Sequence, residues 1–294
     1  MGVTEMEKFQ VRTDLALEAR ESFEGEDVEI RGVSIEEQYD EDRDIRVTRV
    51  KIETENGARA MGKPVGEYLT LEAPGLSEED EDYHREVSME LAKHIRQLMG
   101  EGEQSVLVVG LGNREVTPDA LGPQVVNNLM ITRHIIREFG SRAFGREQMN
   151  QVSAIVPGVM AQTGMETFEI VKGIVEETKP DWIIAVDALA ARASKRLNRT
   201  IQLCDVGIYP GSGVGNHRNG LTRDNLGIPV LAIGVPTVVD AATIVYDATG
   251  DRERIVPNLN GMFVTPKNVD EMIKRLSYTI SEAINIALEG RVQA

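Results

Sequence analysis

The sequence predicts an α/β fold: a mostly parallel sheet flanked by helices, phosphorylase/hydrolase-like in layout, with a small antiparallel β region near the N-terminus. Three observations carry this expectation. From residue 105 onward, short β-branched runs alternate with helix-length stretches, the pattern of parallel strands joined by helical crossovers. Those runs are continuously apolar, as strands buried on both faces are. Earlier in the chain, Ile45-Arg46-Val47-Thr48-Arg49-Val50-Lys51-Ile52 alternates instead, which marks a half-exposed antiparallel strand.

Taken in order, residues 1–14 are polar and weakly patterned, and 15–24 are good helix formers. Residues 27–73 read as the antiparallel region, with Asn56-Gly57 as its hairpin turn. Ser77 fits an N-cap, and the acids Glu78 to Asp82 suit the positive end of the helix that follows. That helix runs to about Met99 with Val87, Leu91, Ile95 and Leu98 at helical spacing. Strands are expected at 105–109, 152–156, 182–187, 200–204 and 230–234, and helices at 122–138, 163–178, 237–248 and 268–289. Thr163 and Glu166 match a capping box at the start of the second of these helices. In the last helix Met272, Ile273, Leu276, Ile280, Ile284 and Ile286 lie roughly on one side, so it packs. The length allows one large α/β domain or two smaller ones, and 15–294 is expected to form one.

At 294 residues and 41 % hydrophobic, the chain is long enough to bury a sizeable core. Aromatics are only 4 %, so that core rests on Val, Ile, Leu, Met and Ala. A formal net charge of −16 argues against direct nucleic-acid binding, which needs basic surface to displace counterions. The single cysteine, Cys204, excludes an intrachain disulfide and sits in a strand-like run as a small hydrophobe. No stretch is apolar enough to span a bilayer, and the first residues lack the basic and apolar regions of a signal peptide. A cytoplasmic protein is expected.

Two aspartates stand out. Val106-Leu107-Val108-Val109 leads through Gly110-Leu111-Gly112-Asn113 to Asp119, and Trp182-Ile183-Ile184-Ala185-Val186 stops on Asp187. In open α/β sheets chemistry gathers beyond the carboxyl ends of strands. Two carboxyl groups brought together there can share a proton or a metal, and one pKa must rise. Each aspartate alone also fits an N-cap or Asx-turn. Other site patterns fail. The Gly110 turn has Glu115 where a dinucleotide fingerprint needs its third glycine. Pro210 stands where a nucleophile elbow around Ser212 needs glycine. His84, His94, His134 and His217 form no zinc pattern. The first three are expected on helix surfaces, and His217 lies in a glycine-rich loop. Read from the residues alone, the chain is a hydrolase-like or ligand-binding α/β protein, metal-dependent or not, with two suspect carboxylates.

Longer motifs go further. They are Val11-Arg12-Thr13-Asp14-Leu15-Ala16-Leu17-Glu18-Ala19, Gly110-Leu111-Gly112-Asn113 with Thr117-Pro118-Asp119-Ala120-Leu121-Gly122-Pro123, and Pro157-Gly158-Val159-Met160-Ala161-Gln162-Thr163-Gly164. Ala185-Val186-Asp187-Ala188-Leu189-Ala190-Ala191-Arg192, Gly211-Ser212-Gly213-Val214-Gly215-Asn216 and Gly234-Val235-Pro236-Thr237-Val238-Val239-Asp240-Ala241 complete them. Over nearly its whole length the chain resembles the germination proteases of spore-forming bacteria, endopeptidases that degrade small acid-soluble spore proteins. The resemblance implies an atypical aspartic peptidase with catalytic Asp119 and Asp187. It also implies a fold similar to hydrogenase-maturation endopeptidases, which use acidic residues and a histidine around a metal. A carboxylate dyad or a carboxylate–metal site are thus the two mechanistic choices, and the absence of paired histidines favours the dyad with no cofactor. In a dyad, one Asp activates water and the other, protonated, donates to the scissile carbonyl. The resemblance further implies a homotetramer in the spore core, made as a zymogen. Its propeptide would be Met1–Asp14, removed by self-cleavage between Asp14 and Leu15, a step that acid favours if Asp14 must enter a carboxylate-rich site neutral.

Overall fold

A computed structural model of the chain describes residues 13–21, 30–100, 102–210, 219–251, 259 and 261–289. Among these, nine strands form one sheet: β1 Val33–Asp40, β2 Ile45–Ile52, β3 Gly66–Glu72, β4 Ser105–Gly110, β5 Gln151–Ile155, β6 Trp182–Ala191, β7 Thr200–Cys204, β8 Val230–Asp240 and β9 Phe263–Val264. The helices are α1 Ala16–Glu21, α2 Glu55–Met61, α3 Glu81–Met99, α4 Leu121–Asn127, α5 Arg133–Phe139, α6 Met160–Thr163, α7 Thr167–Thr178, α8 Arg223–Leu226, α9 Ala241–Thr249 and α10 Val269–Leu288. The strands lie in the order β1-β2-β3-β7-β8-β6-β4-β5, and β9 pairs with the far end of β8.

β4, β5, β6 and β8 are parallel. The rest are not, which corrects the expectation of a mostly parallel sheet: β1, β2, β3 and β7 pair antiparallel, and β7 is antiparallel to β8 as well. The reason lies in a connection length. Only residues 192–199 separate β6 from β7, too few for the crossover of a dozen or more that a parallel return needs. The N-terminal β region is therefore not a separate layer. Through β3 and β7 it continues the same sheet.

Side chains alternate across this sheet into two cores. Val106, Val108, Ile184, Val186, Ile201, Leu203, Leu231 and Ile233 face α3 and α10, meeting Leu91, Ile95, Ile273, Leu276, Ile280 and Ile284. Leu107, Val109, Ile183, Ala185, Leu189, Val230 and Ala232 face the other way, against Leu15, Ala16, Val171 and Val175. Burial on both faces explains why these strands read as unbroken apolar runs.

Local chemistry moves several expected boundaries. Asn56-Gly57 is not a hairpin turn but lies inside α2, which Thr54 caps by accepting from the Gly57 amide at 3.1 Å. The expected helix over 122–138 breaks into α4 and α5, because Thr132 docks on the edge of β5. Its amide donates to the Val152 carbonyl and its hydroxyl to the Asn150 carbonyl. Thr237 to Asp240 stay in β8, as a β-branched run prefers, and Asp240 then caps α9. Asp80, not Ser77, caps α3, and the capping box of α7 is Glu166 with Glu169.

Candidate active site where strand β4 ends

β4 stops at Gly110, level with Val186 of β6, while β6 and β8 run on. Asp187 thus does not end its strand, as the sequence suggests. It is the first residue of β6 beyond the end of β4, and it pairs with Gly234 of β8 on its other side. α4 is pressed onto this step. A side chain at Gly122 would meet the Leu111 and Val186 carbonyl oxygens at 2.4 Å, so only glycine fits there.

Asp119 reaches the same place from the loop between β4 and α4. Gly112 takes a φ of +111°, and the chain turns back so that the Asn113 amide donates to both the Asp119 carbonyl at 3.1 Å and its Oδ2 at 2.8 Å. The turn Thr117–Asp119 is pinned to β8 by the Thr237 hydroxyl, which donates to the Pro118 carbonyl at 2.8 Å. Asp119 is half-buried, and burial lifts its pKa against the opposing effect of the Asn113 amide.

Asp187 is only 7 % exposed. Burial first, then the neighbouring Asp119 carboxylate, push its pKa well above the usual range; the Ala188 amide, donating at 2.9 Å, opposes this and Asp14 adds to it. The two aspartates singled out in the sequence are therefore brought within electrostatic reach of each other, with unequal surroundings. Both carboxyls are pushed upward, and Asp187, the more buried of the two, is pushed further.

The third group at the crevice is the N-terminal segment. The Asp14 amide donates to the Ala190 carbonyl at 3.0 Å and the Ala190 amide returns a bond to Asp14 Oδ2 at 2.9 Å. Lys63 Nζ and Gln202 Nε2 both donate to the Asp14 carbonyl, at 2.9 and 3.2 Å, and Gln202 Oε1 accepts from the Ala16 amide at 2.7 Å. Leu15 and Ala16 are fully buried. Behind them, buried Glu18 accepts from the Arg192 and Ala193 amides and from Arg196, whose guanidinium also binds Glu21 and Glu72. This tie between α1 and the end of β6 holds the segment against the sheet.

Sequence reasoning missed Lys63, Gln202, Thr237 and the Glu18–Arg196 pair. Only Gln202 left a trace, as a polar residue inside the apolar run 200–204. His217 lies outside the described residues. His84 and His94, expected on a helix surface, are instead buried, because they fall on the same stripe of α3 as Val87 and Leu91. Burial lowers both pKa values, and His84 Nδ1 meets the Thr279 hydroxyl at 2.7 Å. Cys204 is buried as expected, its thiol pushed up to about 12 by desolvation, and so is no nucleophile. Asp119 and Asp187 offer two oxygen ligands. Among the described residues no third His, Cys, Asp or Glu joins them in a group able to hold a metal.

The germination protease family model matches residues 11–251, a span that includes both aspartates and the Asp14–Leu15 segment. A germination protease of Caldanaerobacter subterraneus is 47 % identical, the match covering 95 % of this chain and 94 % of the relative. One from Clostridium perfringens is 42 % identical with 96 % of each covered. One from Bacillus cytotoxicus is 48 % identical over 83 % of this chain and 67 % of its own length. The chain belongs to the germination protease family and is a peptidase.

Proposed function

We propose that this peptidase is the endopeptidase that begins the degradation of small acid-soluble spore proteins during germination, working with Asp119 and Asp187 and without a metal. The observation that carries the reading is the juxtaposition of three things at one step in the sheet: a half-buried carboxyl, a buried carboxyl coupled to it, and a peptide segment seated beside them. Asp119 acts as the general base that takes a proton from water, and Asp187 is the protonated partner. The substrates coat DNA, so the enzyme itself needs no basic surface, in keeping with the charge of −16. Incubation with a purified small acid-soluble spore protein tests this. Discrete cleavage products by mass spectrometry are expected, and an intact substrate would refute it.

Met1–Asp14 is the propeptide of a zymogen, removed by self-cleavage of the Asp14–Leu15 bond to leave 15–294 as one α/β unit. Burial of Leu15 and Ala16 supports this, since a chain cut before Leu15 keeps its new terminus anchored. N-terminal sequencing should give Leu15 first, and Asp14→Lys should block processing; a mature chain starting elsewhere counts against it. The enzyme works in the spore core as a homotetramer. Among the described residues no helix is long and apolar enough to cross a membrane. Light scattering of the purified chain tests the assembly, and a monomer would refute it.

A further inference from the structure

The contacts of the Asp14 carbonyl go beyond what holding a propeptide requires. An oxygen in an ordinary peptide group needs one donor, yet this one has two, both from side chains of the antiparallel half of the sheet. Lys63 follows α2 and is half-buried, while Gln202 sits mid-strand in β7. Gly234 separates Gln202 from Asp187, pairing with each. Three neighbouring strands at their ordinary spacing put these two Cα atoms about 10 Å apart, with no side chain rising from the strand between. The Leu189 side chain folds over Gly234, where an added Cβ would meet it at 2.4 Å, and lines one pocket together with Asp14, Lys63 and Gln202.

We infer that Lys63 and Gln202 are an oxyanion hole, the electrophilic side of the site, and that they polarise the scissile carbonyl of the spore-protein substrate as they do that of Asp14. The inference rests on the reading of Asp14–Leu15 as the bond this enzyme cuts. Water oxygen bonds to the Asp14 carbonyl carbon, its proton passing to Asp119. The carbonyl electron pair moves onto oxygen, where the Lys63 ammonium and Gln202 amide hold the negative charge. The pair then returns, the bond to the Leu15 nitrogen breaks, and that nitrogen takes the proton of Asp187. Asp14 is left with a carboxyl group and Leu15 with an amine. Because the carbonyl oxygen already has its donors, the Asp187 proton goes to the leaving nitrogen rather than to the carbonyl. Lys63 suits the role: burial lowers its pKa, but the Asp14 and Glu18 carboxylates around it favour the charged form. Gln202 adds register. By accepting from the Ala16 amide it fixes the residue two beyond the cut while donating at the cut itself.

The test uses the full chain and two readouts: the first-order rate of conversion to the form starting at Leu15, by intact mass, and the hydrogen-exchange protection of the Leu15 and Ala16 amides. Lys63→Met should slow conversion on the order of 10²-fold while the segment stays protected, as expected for removal of one oxyanion donor. Lys63→Arg, which keeps the charge, should be slowed less. Gln202→Met should slow conversion and also release the Ala16 amide. Conversion by Lys63→Met at the wild-type rate, or a loss of rate that only tracks loss of protection, would overturn the inference. Should Lys63→Met lose protection across the sheet, Gln202→Met decides, and its conversion at the wild-type rate overturns the inference. A wild-type chain never cut at Asp14–Leu15 overturns the cleavage reading itself, whatever the variants do.

Discussion

The parallel half of the sheet, β4, β6 and β8, meets the crevice with groups that are buried and electrostatically raised. The antiparallel half, β3 and β7 with α2, meets it with hydrogen-bond donors, half-buried Lys63 and buried Gln202. Asp187 has β8 on one side and lies past the end of β4 on the other, and its pKa is driven upward by burial and by Asp119. Lys63 and Gln202 instead give their hydrogen bonds to the backbone of the N-terminal segment, at the Asp14 carbonyl. The difference teaches that, in the proposed reaction, Asp187 and Gln202 act from opposite sides of the single strand β8. The strand order makes this possible, because β8 alone lies between β6, which carries Asp187, and β7, which carries Gln202, and it has glycine at that level.

The comparison breaks hardest at the acids. Asp119→Asn and Asp187→Asn each keep shape and keep an oxygen to accept from the Asn113 or Ala188 amide, but neither can exchange a proton. Cleavage of a spore-protein substrate should fall on the order of 10²–10⁴-fold with folding retained. Near-normal turnover by either folded variant removes that residue from the mechanism.

On the recognition side, Arg196→Met should separate anchoring from chemistry. The guanidinium is 3 % exposed and serves Glu18, Glu21 and Glu72 together. Removing it leaves buried Glu18 without its cation, at a cost of about 3–5 kcal/mol. Faster hydrogen exchange over 13–21 and a lower unfolding midpoint are expected, with turnover of an external substrate falling less than in the aspartate variants. An unchanged exchange pattern would mean that the apolar contacts of Leu15 and Ala16 suffice.

A smaller effect distinguishes the acids by pH. Asp187 has its folded pKa raised above its unfolded value, so its ionisation opposes folding as pH climbs through that interval. Stability from this group is complete below the unfolded value near 4 and is lost as pH rises towards the folded one. Asp187→Asn should therefore be more stable than the wild type at neutral pH, and the gain should vanish near pH 4. Asp119→Asn, less buried, should gain less. Denaturant unfolding at the two pH values measures both, and a loss of stability at neutral pH in Asp187→Asn contradicts the raised pKa.

The sequence carried the parallel half well, because strands such as 105–109 and 182–187 are buried on both faces and read as solid apolar runs. It made Asp187 conspicuous for the same reason, as a carboxyl next to such a run, and Asp119 only as an acid in the loop that follows another run. What it hid was direction and partnership. Whether β7 runs up or down depends on the length of 192–199, not on its composition, and an antiparallel tail on the sheet followed from that. Lys63 stands in an ordinary polar stretch and acquires meaning only because Asp14, far away in sequence, is laid across it. Asn56-Gly57 misled because its turn chemistry is equally at home in the first turn of a capped helix.

The smallest expected effect is that of removing metal. Asp119 and Asp187 alone give an ion two carboxylate ligands, whereas tight zinc sites use four donors rich in nitrogen or sulfur. Among the described residues no third ligand joins them, and His217, the imidazole in the glycine-rich loop, lies outside those residues. The proposed dyad calls for no ion, and the unequal burial of the two acids supports one as base and the other as acid. Prolonged chelation should therefore leave peptidase activity intact, and His217→Ala should cost less than a few-fold in rate. Two outcomes would sharpen the comparison by overturning this. Activity lost on chelation and restored by one stoichiometric divalent ion would make Asp119 and Asp187 ligands first and acids second. A large loss in His217→Ala with the same metal dependence would bring that loop into the crevice as the missing donor.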